Sequence, residues 1–325
     1  MQTIFPRSHF LFAIVILGTL NIAVAKDYQL YLLAGQSNME GYGHNNELPD
    51  KLKRPQEGVM IFCGNSAADG DTKAGGMGMW AKLEPGYGGG FSTDGKTNKL
   101  SDRFGSEIGF AARLREKNPK ANVAIVKYSR GGTSIDVASR GPFGCWDPDY
   151  NLGDGAGRGV NQYDHCLTTI RNALAVRDID GDGEDDRLIP AGIVWMQGES
   201  DAYHVESGAK AYRENLETLM NLLSAALRYD DLPTAIGRIS DSGQDDKDGK
   251  IWNYGEIVRE AQASFANDHT HVKLITTTDN YGYSDPYHYD TEGFLDLGRQ
   301  FADALMELHG AGKQAEEGAR KQMKE

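Results

Sequence analysis

Short apolar runs alternate with amphipathic helical patterns along most of the 325-residue chain, and this alternation is the feature that most restricts its fold. The helical segments carry large apolar residues three and four positions apart. Strand–helix–strand order predicts an α/β fold with a mostly parallel sheet between two helical layers, an α/β/α sandwich. The predicted strands span residues 28–34, 122–129, 188–196, 233–240 and 272–276, and the helical stripes lie at 108–114, 163–174, 212–227 and 294–308.

Ligands of such sheets bind beyond the carboxyl ends of the strands, so reactive residues are expected directly after strands or in the loop before the last helix. We expect one domain over residues 26–310. The glycine-rich segment 41–101 is too long for an ordinary connection and is interpreted as an insertion. The charged segment 311–325 lacks apolar periodicity and is expected to be a frayed helix or disordered.

The first 25 residues have the pattern of a cleavable secretory signal. Arg7 precedes an apolar run at 10–20, and Ala23-Val24-Ala25 supplies an A-x-A cleavage site before Lys26. A membrane anchor is less favoured, because a span needs about 20 apolar residues. We therefore expect an exported protein, periplasmic or extracellular, whose mature chain begins near Lys26 and does not associate with the membrane.

Charge and cysteine content narrow the classes of partner. A net charge of -13 argues against nucleic acid or an anionic membrane and is compatible with a neutral polymer. Cys63, Cys145 and Cys166 are an odd number for an exported protein, so one disulfide with a spare thiol and three free thiols both remain open. Their spacing, without clustered histidines, argues against a zinc site.

An acidic loop resembles the first half of a calcium-binding motif. Asp178, Asp180 and Asp182 alternate before a glycine, and Asp186 follows eight positions after Asp178. Ile189 stands where the motif requires a bidentate glutamate, so a solvated acidic turn is favoured over a partial calcium site. No metal or organic cofactor is expected.

Segments at opposite ends of the chain supply a candidate nucleophile and base. Ser37 follows a predicted strand and a glycine, so its hydroxyl can be exposed on a tight turn and its N–H can point at a developing oxyanion. Asp285 and His288 lie three positions apart just before the last predicted helix. On a turn, the Asp285 carboxylate can orient the imidazole and leave its other nitrogen free to take the Ser37 proton.

Two other segments that follow strands supply candidate oxyanion donors. The backbone at Gly131 and Gly132 can approach a substrate closely, and Gln197 has a side-chain amide that can donate. A rival nucleophile is Ser200-Asp201. It is less favoured because no histidine is better placed for it than His204, which lies on the same short segment.

Four motifs resemble those of the SGNH (GDSL-type) hydrolase superfamily in content and order: GQSNM at 35–39, SRGGTSI at 129–135, WMQGESD at 195–201 and DPYH at 285–288. The similarity extends from Tyr28 to about Leu308. It is closest to the carbohydrate acetylesterase branch, which comprises the sialate O-acetylesterase-like proteins and acetylxylan esterases of carbohydrate esterase family 6. This resemblance implies a flavodoxin-like three-layer fold.

For function, the resemblance implies a serine esterase that removes O-acetyl groups from carbohydrate through an acetyl-serine intermediate. Ser37 would be the nucleophile, His288 the base and Asp285 the acid that orients it. Acetylxylan-type polysaccharide is the expected substrate. An esterase for O-acetylated sialic acids or another small glycan, and a glycan-binding pseudoenzyme of the same fold, remain alternatives.

The resemblance also implies which groups hold the oxyanion: the Ser37 N–H, the N–H of Gly131 or Gly132, and the Gln197 side chain. The third motif reads QGESD where the wider superfamily has glycine-x-asparagine-aspartate, a departure shared with the carbohydrate esterases. As a carboxylate, Glu199 would repel an oxyanion, and we expect it to brace the turn at residues 37–38.

Overall fold

A seven-stranded sheet lies at the centre of the protein, and six of its strands are parallel. The computed structural model describes residues 25–65, 75–151 and 159–322, with side chains as far as residue 312. The strands of this sheet are β1 (Asp27–Gly35), β2 (Val59–Cys63), β3 (Trp80–Lys82), β4 (Val123–Ser129), β5 (Arg187–Met196), β6 (Thr234–Gly237) and β7 (Val272–Ile275).

Helices cover both faces of this sheet. Helix α2 packs against α7, and α5 packs against α3 and α6. The helices are α1 (Ser37–Glu40), α2 (Ser106–Lys117), α3 (Gln162–Ala175), α4 (Glu199–Tyr203), α5 (Glu206–Ala226), α6 (Gly255–Asp268) and α7 (Thr291–Gln322). Short 3-10 turns occur at Asn45–Glu47, Asp50–Leu52, Val137–Ser139 and Thr277–Asn280, and two short antiparallel ladders pair Gly43–His44 with Arg103–Phe104 and Ser92–Thr93 with Asn98–Lys99.

The strand order β7-β6-β5-β1-β4-β2-β3 puts β1 between β4 and β5. Without β2 and β3, the remaining five strands have the 2-1-3-4-5 order of flavodoxin-like sheets, whose ligands bind where the order reverses. Every residue of β1 from Leu30 to Gly35 is buried, as expected for a strand covered on both faces. The predicted three-layer α/β fold is confirmed.

Five of these strands were predicted from the sequence, whereas β2, β3 and helix α6 were not. Both missed strands lie in segment 41–101, which therefore extends the central sheet. The backbone of α7 is helical to Gln322, where we expected a frayed helix or a disordered tail. The expected signal covers residues 1–25, and residues 1–24 lie outside the described residues. No helix in the described part of the chain has the length and apolar character needed to cross a membrane.

All three cysteines are buried free thiols. Of the two possibilities left open by the sequence, the structure thus shows three unpaired thiols. Burial raises the pKa of Cys63 and of Cys145 to about 12. At neutral pH both are therefore protonated and poorly nucleophilic.

A buried ion pair joins the sheet to α2, and its lysine also contacts the end of α1 and the loop after β3. Lys127 of β4 and Glu107 of α2 are at most 1% exposed, and Nζ lies 2.7 Å from Oε2. The same ammonium donates to the carbonyl oxygens of Glu40 and Tyr87, each at 2.9 Å. Since all three donors of Lys127 are used, this contact fixes the base of the turn that carries Ser37.

Replacing Lys127 by methionine should lower the free energy of unfolding by about 3–5 kcal/mol, because Glu107 would be left buried without its counter-charge. Urea denaturation measures the change. The double variant Lys127→Met/Glu107→Leu should recover part of the loss. The control Lys53→Met breaks an exposed pair with Asp50 and should cost less than about 1 kcal/mol. A similar small loss in Lys127→Met would contradict the role of the pair.

Candidate active site

The chain turns sharply from β1 into α1, and this turn presents Ser37. Gly35 has φ +148°, and a Cβ there would lie 2.0 Å from the carbonyl oxygen of Met196, so only glycine fits. The Gln36 N–H donates to that same oxygen at 2.9 Å. Ser37 is the first residue of α1 and is 8% exposed. Its N–H has no acceptor among the described residues.

Asp285 and His288 are hydrogen-bonded to each other in the loop before α7. His288 Nδ1 lies 2.7 Å from Asp285 Oδ2, and Asp285 Oδ1 accepts from the N–H groups of Tyr287 and His288 at 2.8 and 2.9 Å. Partial burial opposes ionisation of Asp285, but these hydrogen bonds outweigh it, and the pKa of the carboxyl lies below its ordinary value. The Nδ1 contact leaves His288 Nε2 for another partner.

Ser37 and His288 line the same cavity of about 450 Å³ at the carboxyl ends of β1, β4 and β5. Tyr42 stacks on the imidazole with ring centroids 3.8 Å apart and 9° between the planes, which fixes the orientation of the ring. No hydrogen bond joins Ser37 Oγ to His288 in the described part of the chain; such contacts often tighten only when substrate binds. The wall is completed by Gln36, Arg130, Gly131, Gly132, Pro142, Phe143, Ser200, Tyr203, His204, Trp252 and Tyr287.

Asn38 connects the turn that carries Ser37 to the loop that carries His288. Its Nδ2 donates to the Tyr287 carbonyl at 3.1 Å and to Glu199 Oε1 at 2.8 Å, and its Oδ1 accepts from the Tyr289 N–H at 3.3 Å. The two backbone groups flank His288 on either side. Asn38, which sequence reasoning passed over, therefore fixes the position of the imidazole relative to the turn.

Glu199 lies behind this contact and does not line the cavity. It is 1% exposed, and its Oε2 has no hydrogen-bond partner among the described residues. Burial raises the pKa of Glu199, an effect opposed by the hydrogen bond from Asn38. Glu199 thus contacts the turn at residues 37–38 through Asn38, and its bracing role there stays a prediction.

Gly131 and Gly132 both line the cavity, but only one of their N–H groups is available there. The Gly131 N–H donates to Glu40 Oε2 at 2.8 Å, whereas the Gly132 N–H has no acceptor in the described structure. A Cβ on Gly131 would lie 3.2 Å from the Ser37 Cβ, so this backbone passes close to the serine. The N–H groups of Ser37 and Gly132 are thus two unpaired backbone donors at one cavity.

Two glutamines differ from the arrangement that the sequence predicted. Gln197 is fully buried and does not line the cavity, and its amide donates to the Thr133 carbonyl at 3.1 Å and to Asp201 Oδ2 at 2.6 Å. Both amide hydrogens are therefore engaged away from the site. Gln36 lines the cavity instead. Its Oε1 accepts from the Ser200 N–H at 3.2 Å, while its Nε2 has no acceptor among the described residues.

The rival nucleophile is not assembled. Ser200 and His204 both line the cavity, but the Asp201 carboxylate accepts from the N–H groups of Ile135 and Asp136, each at 2.9 Å. Burial raises the pKa of Asp201 to about 7 against the effect of these hydrogen bonds. Asp201 therefore holds the segment after β4 and does not orient His204.

The acidic loop lies at the opposite edge of the sheet, before β5 begins. Asp178, Asp180 and Asp186 each place one carboxylate oxygen within 4.8 Å of the others, a spacing that could hold a cation. Lys26 Nζ contacts Asp180 and Asp182 in this loop. The acidic loop, for which the sequence favoured a solvated turn over a partial calcium site, is therefore separate from the cavity.

Sequence reasoning also missed the aromatic wall of the cavity. Tyr42, Phe143, Tyr203, Trp252 and Tyr287 come from separate loops and share no motif or periodicity. A sequence signal existed only for those close to a motif: Tyr42 and Tyr203 follow one within three residues, and Tyr287 lies within DPYH.

Residues 27–307 match the family described as "Carbohydrate esterase, sialic acid-specific acetylesterase". The chain belongs to this family. The match confirms the resemblance inferred from the four motifs and assigns the protein to the carbohydrate esterases, a class of hydrolases. No curated protein sequence matches it significantly.

Solved structures share the fold of this carbohydrate esterase. A protein from Arabidopsis thaliana is 21% identical with a TM-score of 0.56, over 86% of this chain and 98% of the other. The structure of NanS is 15% identical with a TM-score of 0.54, over 89% and 100%. A carbohydrate acetylesterase from Xanthomonas citri is 17% identical with a TM-score of 0.50, over 85% of this chain and 55% of the other. At these identities, the likeness establishes the fold alone.

Replacing Asn38 by alanine should lower kcat for an aryl acetate more than it changes KM, because it frees the loop that carries His288 without removing a substrate contact. The free energy of unfolding should fall by about 1–3 kcal/mol as buried polar groups lose partners. In the control Asn172→Ala, a hydrogen bond to the Gly76 carbonyl is lost outside the cavity, and kcat should be unchanged. Equal kcat in Asn38→Ala and the unaltered protein would contradict the positioning role.

Proposed function

We propose that this protein is an exported serine esterase that removes O-acetyl groups from carbohydrate, with Ser37, His288 and Asp285 as its catalytic triad. One observation carries the proposal: a serine hydroxyl and an aspartate-oriented imidazole line one cavity that also holds two unpaired backbone N–H groups. Family membership supports ester hydrolysis on a carbohydrate as the reaction class. Export rests on the signal pattern of residues 1–25.

The proposed reaction is acyl transfer in two halves. His288 Nε2 accepts the Ser37 Oγ proton as Oγ attacks the ester carbonyl, and the N–H groups of Ser37 and Gly132 donate to the resulting oxyanion. Collapse expels the sugar oxygen, which takes the proton back from His288 and leaves acetyl-serine. Water then attacks this ester with one proton passing to His288, and His288 returns that proton to Ser37 Oγ as acetic acid leaves and ionises to acetate in the solvent.

Gln36 Nε2 is the third oxyanion donor in this proposal. Gln197 was expected to fill the role, but its amide is engaged by Thr133 and Asp201. Gln36 adjoins the nucleophile, its amide oxygen is fixed by the Ser200 N–H, and its amide nitrogen is left unpaired beside the cavity.

A second cavity supports a polymeric substrate. It has a volume of about 450 Å³ and shares Trp252 with the first cavity, so the two adjoin across this indole. Its lining includes both hydrogen-bond donors and acceptors, among them Asp241, Lys250, Asn253 and Glu256. Sugar hydroxyls need both kinds of partner. We therefore favour an acetylated polysaccharide of the acetylxylan type, in which neighbouring sugar units occupy the second cavity.

The second candidate is an esterase for O-acetylated sialic acids or another small glycan, which the family description favours. A substrate of this kind would occupy the first cavity alone. A glycan-binding pseudoenzyme is the third candidate, and it predicts binding without hydrolysis.

Ser37→Ala should lower kcat for p-nitrophenyl acetate by at least ~10³-fold with its melting temperature nearly unchanged, because the nucleophile is lost from a cavity wall. The matched control is Ser200→Ala, which removes the other serine hydroxyl of the same cavity and should retain most activity. Activity retained by purified Ser37→Ala would overturn the triad. An unaltered protein inactive on every acetyl ester would favour the pseudoenzyme.

The variant Lys250→Ala/Asn253→Ala should lower kcat/KM for acetylated xylo-oligosaccharides about tenfold, a loss that corresponds to about 1.4 kcal/mol of binding energy in the second cavity. The same variant should hydrolyse p-nitrophenyl acetate normally, since the triad is untouched. Acetate release across acetylated xylan, pectin and sialosides compares the candidates. A higher kcat/KM for a sialoside than for the xylo-oligosaccharides would favour the second candidate.

A further inference from the structure

In the acidic loop at residues 178–186, some carboxylate oxygens accept hydrogen bonds from the loop's own backbone, and others contact a residue outside the loop. Asp178 accepts from the three consecutive N–H groups of residues 181–183 at 2.7, 3.1 and 2.8 Å, and it thereby closes the loop. Asp186 Oδ2 accepts from the Ile179 N–H at 3.0 Å, so Asp186 Oδ1 can accept from a residue outside the loop. Carboxylate oxygens of Asp180, Asp182 and Asp186 all contact one residue outside the loop.

That residue is Lys26. Its Nζ lies 2.5 Å from a carboxylate oxygen of both Asp180 and Asp182, and its backbone N lies 3.2 Å from Asp186 Oδ1. Hydrogen bonds from the two aspartates raise the pKa of the Lys26 ammonium. A cation of the chain itself therefore occupies the loop in which the sequence motif would place calcium.

Contacts of the neighbouring backbone and side chains also hold Lys26 in place. The Lys26 carbonyl accepts from the Arg187 N–H at 2.9 Å, and the Arg187 guanidinium pairs with Asp27 at 2.5 Å. Tyr28 donates its hydroxyl to Asp180 at 2.8 Å. The first residues of β1 are thus fixed against the start of β5, so the Lys26 nitrogen cannot move far from Asp186.

We propose that this loop is the receptor for a processed amino terminus at Lys26, created by hydrolysis of the Ala25–Lys26 peptide bond. An endopeptidase of the export machinery catalyses the addition of water across this bond. Ala25 departs as a carboxylate with the removed segment, and the Lys26 nitrogen takes up protons to become an ammonium. The hydrogen bond that the uncharged Lys26 amide donates to the Asp186 carboxylate then becomes an ion pair, which is the stronger contact.

Cleavage at this bond gives the loop two cations on a single residue, the α- and ε-ammonium groups of Lys26. A cut one residue away would displace the α-ammonium by up to about 3.5 Å from Asp186. The inference goes beyond the esterase proposal, because the loop and the cavity lie at opposite edges of the sheet and neither needs the other.

The full-length chain, expressed for export in a bacterium, tests this directly. Intact-mass analysis should give Lys26 as the first residue. A variant with one serine inserted between Ala25 and Lys26 keeps every native side chain but moves the α-ammonium, and it should melt about 2–4 °C lower than the unaltered processed chain. A first residue other than Lys26, or equal melting temperatures, would overturn the proposal.

Asp186→Asn, introduced into both chains, isolates the ion pair. It should lower the melting temperature more in the chain that begins at Lys26 than in the serine-inserted chain. The control Asp185→Asn alters an exposed carboxylate of the same loop paired with Arg177 and should affect both equally. If Asp186→Asn does not fold, the insertion comparison still decides.

A higher melting temperature of the processed chain on addition of calcium chloride would show that the loop takes the metal, against the proposal. Hydrolysis of an aryl acetate should be the same in all folded variants, so failure here is distinct from failure of the esterase assignment.

Discussion

The common level at which β1, β4 and β5 end is the constraint on which the rest of the site depends. The register opposes Gly35 to both Ser129 and Met196, so the three following segments leave the sheet side by side. A glycine is required because the backbone of the neighbouring strand lies where any side chain would be. The Ser37 turn therefore lies against the glycine segment after β4, and their free N–H groups converge on one cavity.

The imidazole of His288 comes from the far end of the sequence. Hydrogen bonds fix its position beside the Ser37 turn more than apolar packing does. Asn38 binds the backbone on both sides of His288, and Asp285 fixes the ring through Nδ1. Tyr42 covers the ring face. Directional contacts of this kind define position more tightly than burial, and such precision is required for the proton transfer proposed for His288.

Buried carboxylates provide the framework behind these contacts. Glu107 is neutralised by Lys127 beneath the turn, and Asp201 collects backbone N–H groups after β4. Glu199 has a weaker set of partners, with one oxygen bound to Asn38 and the other unpaired. Burying such groups opposes folding, so their presence around one cavity indicates that the loop positions they enforce matter to the protein.

The sequence by itself determined the layer architecture, since periodicity reports which face of an element is buried, and it located the motifs that follow strands. It did not reveal β2, a five-residue apolar run, because the glycine-rich segment around β2 lacks the strand–helix alternation that identified the other short strands. The sequence also did not determine which way a side chain points. Gln197 follows a strand as a donor should, yet Thr133 and Asp201 accept both of its amide hydrogens, a pairing that the motifs containing these residues do not reveal. The aromatic wall, the Asn38 contact and the union of Lys26 with the acidic loop join residues from separate segments. Only the tertiary structure decided them, because hydrogen bonds and ion pairs depend on distances of a few ångströms that sequence separation does not encode.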